Sequence, residues 1–412
     1  MIDPVNRLKI FRNLPMLALI AIALSIPLPI RVNSAVSISV LCAYLIFLAT
    51  IRKFDFHFFK TPIFKLVLIH ATIVLLGLTH TSDLTQGFAD VERFGYALLF
   101  PFLIFQMRDS GVTIYKVICA FAVGCGVLIL YGLIYVLTST DFAGGKSFWD
   151  LGHTYFTNPM DIHPMYLSMY VTFVIFFLLE MSRLKLKSRK QNHLTFIGLS
   201  IVFLVIVLFF IRSQMALLSS VILFVLYLVI VLKRRAWLVT FVLFTVGLLV
   251  FLLDTQRVAT FFDTYGRNVS SALDNRFHVW KGAVEAIKSS PIIGGGTGAE
   301  HEMLNKAYVK IGYLDGELNS YNAHNQYLEF LIRNGPAELV VFLVLLAYAF
   351  KQSLRFPNHL FLLFCMMFTL TMFFESSLQL HKGLVFFYFF LSCFLFLRFD
   401  DLPEAADSPK NS

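Results

Sequence analysis

Apolar residues in this chain run in long unbroken blocks, and polar residues are confined to the gaps between them. The blocks fall at 14–31, 34–51, 62–79, 92–107, 113–138, 163–181, 194–211, 214–232, 236–253, 338–350, 358–375 and 384–398. A helix needs roughly 20 residues to cross about 30 Å of hydrocarbon, and most blocks meet that length. The tenth and the last are short and need flanking residues to complete a crossing. Membrane β-barrels alternate in segments of about ten, a pattern found nowhere here. The expected fold is therefore all-α and polytopic, with about twelve transmembrane helices.

One gap differs from the others. From Asp254 to Gly335, roughly eighty residues leave the membrane. This divides the chain into spans one to nine (1–253), an external subdomain with amphipathic helices (254–337), spans ten to twelve (338–400) and a polar tail (401–412). In the subdomain Phe277, Trp280, Val284 and Ile287 recur three and four apart, the apolar face of a helix lying on a membrane surface. Asp274 or Asn275 is placed to cap it, and Pro291 to end it. That puts Arg276 in the first turn, where free N–H groups and the helix dipole favour an anion; pairing with Asp274 or Glu285 is the structural alternative. Gly294-Gly295-Gly296-Thr297-Gly298 follows directly. Its N–H groups can form an anion nest or a tight turn that reverses the chain; lacking Gly-Lys-Ser/Thr, it is not a Walker loop. His324-Asn325 then opens a second helix with a Tyr327, Leu328, Leu331, Ile332 stripe and a possible Glu329–Arg333 pair, and Gly335-Pro336 stops it. A helix N-terminus just above the bilayer disfavours an imidazolium and suits His324 to the role of a neutral general base, although a lone histidine can equally be structural.

Charge changes the picture in one respect. Lys and Arg number 34 against 25 Asp and Glu, for a net +9, which could point to nucleic acid. The basic residues, however, cluster in alternate short loops: Arg7/Lys9/Arg12, Arg52/Lys53/Lys60, Arg108, Arg183 to Lys190, Lys233/Arg234/Arg235 and Lys351/Arg355. Loops of that kind face the cytoplasm, so both termini are expected inside and the Asp254–Gly335 segment outside. With 58% hydrophobic and 14% charged residues, against about 45–50% and 25% in soluble domains, the composition agrees. The five cysteines lie inside apolar blocks without ligand spacing and read as small buried hydrophobes. The first block reads as a retained helix rather than a removed signal peptide, and Pro27-Leu28-Pro29 as a kink or early exit from it.

The remaining candidate residues sit where blocks end. Arg212 stands at the corner between two spans with only Ser213-Gln214 beyond it. A charge there points at water, a carboxylate or an anionic substrate, unless it merely snorkels at the interface. Arg93, Asp161 with His163, and Glu375 with His381-Lys382 are placed to line a polar cavity, as are Asn325, Gly296 and Gly298; each could also be an ordinary interface anchor or turn residue. No Asp-x-Asp pair or metal-ligand spacing occurs on the outer side, so no metal and no other cofactor is expected.

Together these stretches resemble the O-antigen ligase superfamily, bacterial membrane glycosyltransferases that include lipopolysaccharide ligases, O-antigen polymerases and protein O-oligosaccharyltransferases. Ile211-Arg212-Ser213-Gln214 looks like the family's arginine at an outer helix junction. Arg276 to Gly298, with Trp280, Pro291 and the glycine run, is similar to its Arg…Trp…Pro-x-x-Gly-x-Gly segment, and His324-Asn325 with Gly335 to its His-Asn/Ser/Gln-x9-Gly motif. Three residues after that glycine the family often has a small residue, Thr or Tyr; this chain has Glu338, which leaves the subtype open. The resemblance implies a fold similar to the C-type membrane glycosyltransferases and a bacterial inner-membrane location with a periplasmic active site. It implies that Arg212 and Arg276 bind the diphosphate of an undecaprenyl-diphosphate-linked glycan, while His324 acts on the hydroxyl of an acceptor such as lipid A–core, another glycan or a protein.

Two guanidinium groups can stabilise the charge that builds on a leaving diphosphate without a metal, and a positioned histidine can activate a sugar hydroxyl. Direct displacement would invert the anomeric carbon. A ligase and a polymerase of the same superfamily both fit. A flippase of lipid-linked oligosaccharide is the alternative from another class. Transporters tend to carry inverted repeats and intramembrane charge on broken helices, whereas here the polar interest lies on one face.

Overall fold

The computed structural model describes residues 4–51, 54–146, 151–187, 191–232, 267–356 and 358–399. The apolar block at 236–253, the start of the external segment at 254–266 and the tail at 401–412 lie outside them. The described residues form helices: α1 (Pro4–Ser25), α2 (Ile30–Ile51), α3 (Pro62–Gly77), α4 (Leu84–Met107), α5 (Ile114–Thr138), α6 (Pro164–Lys187), α7 (Gln191–Ile211), α8 (Gln214–Leu232), α9 (Arg267–Ser289), α10 (Glu300–Ile311), α11 (Gln326–Ser353), α12 (Leu360–Phe374) and α13 (His381–Phe396), joined by a few single turns. Among them, 6 are long and apolar enough to cross a membrane: α2, α5, α6, α7, α8 and α11. Shorter apolar helices occupy Leu14–Ser25, Pro62–Gly77, Leu360–Phe374 and His381–Phe396.

The bundle is built around α13. Every residue from His381 to Phe394 is buried, as expected of a helix that is apolar on all sides. Phe386 stacks on Phe121 of α5, and Phe390 meets Phe121 edge-on, as both Phe386 and Phe390 do Phe173 of α6; Phe364 of α12 closes the cluster. Outer helices show the converse pattern. On α5, Val123, Val127, Leu130, Ile134 and Leu137 form an exposed apolar stripe, as do Phe196, Leu199, Phe203 and Ile206 on α7. Stripes of that extent belong in lipid rather than water.

Loops alternate between two ends. At one end Asp55 pairs with Arg108, Glu180 with Arg183, and Ile114 N–H donates to the Arg398 carbonyl. At the other lie the α1–α2 turn, residues 139–146 and 151–163, the α7–α8 corner, α9, α10 and residues 375–381. Three features there differ from the sequence expectation. First, α1 stops at Ser25 rather than continuing to 31, so Pro27-Leu28-Pro29 marks an exit, held by the buried Lys382 ammonium. Second, α9 begins at Arg267, not near Asn275; no proline or glycine interrupts 267–274, so the helix extends backwards and Arg276 lies in its interior. The first-turn argument for an anion at Arg276 therefore does not apply. Third, the face that α9 buries is Val279, Ala283 and Ala286, packed on Leu304, Ala307 and Tyr308. Phe277 and Val284 of the expected face are exposed, at 64% and 45%, while Trp280 and Ile287 pack against the small core.

α11 is two helices across a kink. Asn334 (φ −128°) and Gly335 (φ 68°, ψ −164°) leave the helical region, and the chain resumes at Pro336, whose ring lacks the N–H that an unbroken helix would need. The first half is the expected helix after His324-Asn325; the second is the tenth apolar block, completed by flanking residues.

Candidate active site

The site is assembled by a cap. Asn325 is the N-cap of α11: its Oδ1 accepts from the Tyr327 and Leu328 N–H groups at 3.0 and 3.1 Å. Its Nδ2 donates to the Phe373 carbonyl at 3.2 Å. This fastens the start of α11 to the end of α12, and it places His324 beside Glu375. His324 Nδ1 lies 2.9 Å from Glu375 Oε1, and Arg276 Nη2 lies 3.3 Å from Glu375 Oε2. Thus two residues nearly fifty positions apart in sequence share one carboxylate, which the sequence marked only as a possible cavity-lining group. Arg276 does not pair with Glu285, which binds Lys288 and Lys310; the Asp274 side chain lies outside the described residues.

Electrostatics follow from the geometry. Burial alone would raise the Glu375 carboxyl, but the His324 hydrogen bond and the charges of His324, Arg276 and His163 hold it below the usual carboxylate range. An ionised Glu375 accepts a hydrogen bond from His324 Nδ1–H, and in that neutral tautomer Nε2 carries the lone pair. Burial lowers the Arg276 guanidinium, and Glu375 opposes that. Arg276 Nε and Trp280 Nε1 are buried without a hydrogen-bond partner among the described residues. Two such donors beside a cationic group can take ligand oxygen atoms.

Arg212 joins this group through two imidazoles. It occupies the corner between α7 and α8, as expected. His153 is lowered by burial and then by the charges of His163 and Arg212. Burial also lowers His163, where Glu375 works against the charges of His324 and Arg276. Backbone strain marks the same residues. Five non-glycine residues among those described have positive φ: His153 (54°), Asp161 (50°), Arg212 (55°), Ser320 (47°) and His324 (43°). Left-handed backbone costs about 1–3 kcal/mol at such residues and persists where surrounding structure enforces it, often at functional sites. His153 was not visible in the sequence, since nothing in Gly152-His153-Thr154 has a motif's spacing.

Comparison with known proteins bears on the same stretch. Residues 199–343 match the O-antigen ligase family. That segment runs from α7 into the second half of α11 and contains Arg212, Arg276, the glycine run and His324-Asn325. The match supports the O-antigen ligase superfamily, and the apolar helices suit a multi-pass membrane protein. Over 89 residues the chain is also 29% identical to an uncharacterized protein of Haemophilus influenzae, covering 22% of this chain and 22% of that relative. The chain thus spans under a quarter of that relative's length.

Within the O-antigen ligase segment the glycine run has a structural role. Gly294 N–H donates to the Ser290 carbonyl, Gly295 to Ile332, Gly296 to Arg333, and Thr297 to Gly77, at 3.2, 2.8, 2.8 and 3.3 Å. Gly298 N–H donates to Glu300 Oε2 at 2.9 Å. With every N–H engaged, there is no anion nest; the run is a turn wedged between α3, α4 and the α11 kink. A Cβ on Gly296 (φ 94°) would lie 2.6 Å from the Gly77 carbonyl oxygen and 2.7 Å from Thr81 backbone. Gly296→Ala is expected to cost about 2–4 kcal/mol through left-handed strain and overpacking, read as a lower melting temperature in detergent. Glu329 and Arg333 do not pair along α11. Glu329 accepts from Ala323 N–H and Ser376 Oγ at 3.1 and 3.0 Å, while Arg333 turns to Glu338, with Nε 3.0 Å from Oε2.

A cavity of about 640 Å³ opens beside this cluster, lined by Arg93, His163, His381 and Lys382 together with Glu92 and Asp161. Gly296 and Gly298 are not among its lining residues, and Asn325 serves as the cap described above.

Proposed function

We propose that this protein is a metal-independent, inverting membrane glycosyltransferase. It transfers a preassembled glycan from undecaprenyl diphosphate to an acceptor hydroxyl, as an O-antigen ligase acting on lipid A–core. The observation that carries the reading is His324 held through Nδ1 by Glu375, with Arg276 on the other carboxylate oxygen. His324 Nε2 removes the acceptor proton as the acceptor oxygen bonds to the anomeric carbon. The bond from the anomeric carbon to the diphosphate oxygen breaks on the opposite face, and undecaprenyl diphosphate departs with the electron pair. Arg276 and Arg212 hold the charge that develops there, as preorganised guanidinium groups can. Glu375 keeps the imidazole in the required tautomer and stabilises the imidazolium, the logic of a triad's carboxylate.

The site is proposed to face the periplasm, with both termini cytoplasmic in the inner membrane. Arg108, Arg183 and Arg355 sit at the bundle end opposite the cluster, which supports that orientation. A polymerase would use the same groups with a growing chain as acceptor, and the buried Glu338, where the family often has a small residue, Thr or Tyr, leaves the subtype open to that second reading. A flippase is disfavoured because the strained and ionised groups gather at one end.

The test is purified protein in detergent with a lipid-linked glycan donor and a chelator present. Product with an inverted linkage by NMR is expected, and Arg276→Lys should lower kcat/KM by about 10²–10³-fold because one point charge replaces a planar fork. Activity that returns only on adding a divalent ion would end the metal-independent mechanism, and no product in the wild type would end the transferase reading.

A further inference from the structure

The 640 Å³ cavity lies beside the reacting cluster, and its lining indicates what it takes. Its cations are already engaged. The Lys382 ammonium has three N–H donors and directs them at three carbonyls, those of Ile26, Pro27 and Leu28. Arg93 is held by Asp90 and by the Ala89 and Gln379 carbonyls. His381 Nε2 meets Asn33 Oδ1 at 2.8 Å. By contrast the Glu92 and Asp161 carboxylates line the same space and are exposed. Among the described residues neither makes a side-chain hydrogen bond or an ion pair. His163 Nδ1 accepts from Met165 N–H at 3.3 Å, which leaves an Nε2–H donor for the cavity.

A diphosphate entering here would meet two carboxylates and an ammonium with no donor to spare. A polyhydroxylated ligand would find two strong acceptors, a donor from His163 and the ring of Tyr96. Apolar side chains line the same space: Ile30, Ile38 and Leu380 are 37%, 53% and 48% exposed. A volume of this size suits a small-molecule ligand, and a space lined by both polar and apolar groups suits an amphiphile.

We infer that this cavity is the acceptor subsite and binds the sugar head of a lipid-anchored saccharide, with Glu92 and Asp161 accepting its hydroxyls and Ile30, Ile38 and Leu380 meeting its acyl anchor. The word acceptor rests on the transferase reading above; the binding of a saccharide does not. His163 stands at the boundary, lining the cavity while feeling the charges of Glu375, His324 and Arg276. A hydroxyl held in the cavity would thus lie beside the group formed by His324, Glu375 and Arg276.

The experiment is photo-crosslinking in living cells, with p-benzoylphenylalanine in place of Ala89 on the cavity wall and, as control, in place of Leu354 at the far end of α11. The Ala89 position should capture a lipid-anchored saccharide lacking polyprenyl diphosphate, identified by mass spectrometry. Glu92→Gln with Asp161→Asn, which keeps shape and tolerates the left-handed backbone of Asp161, should cut that yield and raise the acceptor KM by about tenfold while the donor KM holds. Capture of a polyprenyl diphosphate glycan, capture of plain phospholipid only, or no capture above the Leu354 control would each overturn the inference. Saccharide capture by a protein that transfers nothing would instead remove the transferase reading and leave the subsite standing.

Discussion

Replacing His324 with asparagine is expected to lower kcat by about 10²–10⁴-fold, the contribution of a positioned base, with little change in melting temperature. Asparagine is the informative choice because His324 has φ 43°, a conformation that Asn tolerates and alanine adopts at a cost of about 1–2 kcal/mol. An alanine variant would mix a backbone effect with the chemical one. Donor binding should survive, since the diphosphate is assigned to Arg276 and Arg212. The measurement is single-turnover transfer alongside a thermal melt. A rate within threefold of wild type would place the base elsewhere, with His163 and His153 the next imidazoles to try.

The sequence carried much of this site but not its centre. Arg212, Arg276 and His324 were all legible because each stands at a break in hydrophobic patterning, where a charged group needs a reason to be. The cap at Asn325 and the stop at Gly335-Pro336 were legible too, since both are local rules of backbone geometry. Glu375 was not. Nothing local distinguishes it from any carboxylate at a helix end, and its role arises only when α12 and α11 are fastened by Asn325 Nδ2. The glycine run shows a related limit: composition allows both a nest and a turn, and only the carbonyls of Gly77, Ile332 and Arg333, up to 220 positions away, settle where its N–H groups go. The expected Glu329–Arg333 pair failed for a comparable reason. Spacing of i, i+4 offers at most about 0.5 kcal/mol, and buried partners elsewhere in the fold compete easily with that.

Removing Glu338 is expected to be the most damaging single change to stability, at about 3–5 kcal/mol for Glu338→Leu, the usual cost of stranding one member of a buried ion pair. Glu338 is 0% exposed and Arg333 is 7% exposed. The carboxylate takes Arg333 Nε at 3.0 Å, Asn334 Nδ2 at 3.0 Å and His70 Nε2 at 3.0 Å. Arg333 and Asn334 precede the kink at Gly335, and Glu338 follows it. The carboxylate therefore spans the break where Pro336 supplies no backbone N–H, and His70 ties that joint to α3. Leucine at 338 would leave the guanidinium buried, with only Glu300 Oε1, at 3.6 Å, as a carboxylate neighbour. Arg333→Met with Glu338→Leu removes both charges, and it should recover at least half of the lost stability. Thermal melts of the two variants and the double variant decide the matter; equal melting for Glu338→Leu and wild type would show that the joint stands without its carboxylate. The first half of α11 starts at the His324-Asn325 cap, so loosening the joint changes where the imbibed acceptor oxygen meets Nε2. Glu338→Leu should therefore lower kcat as well, even at temperatures where the protein remains folded.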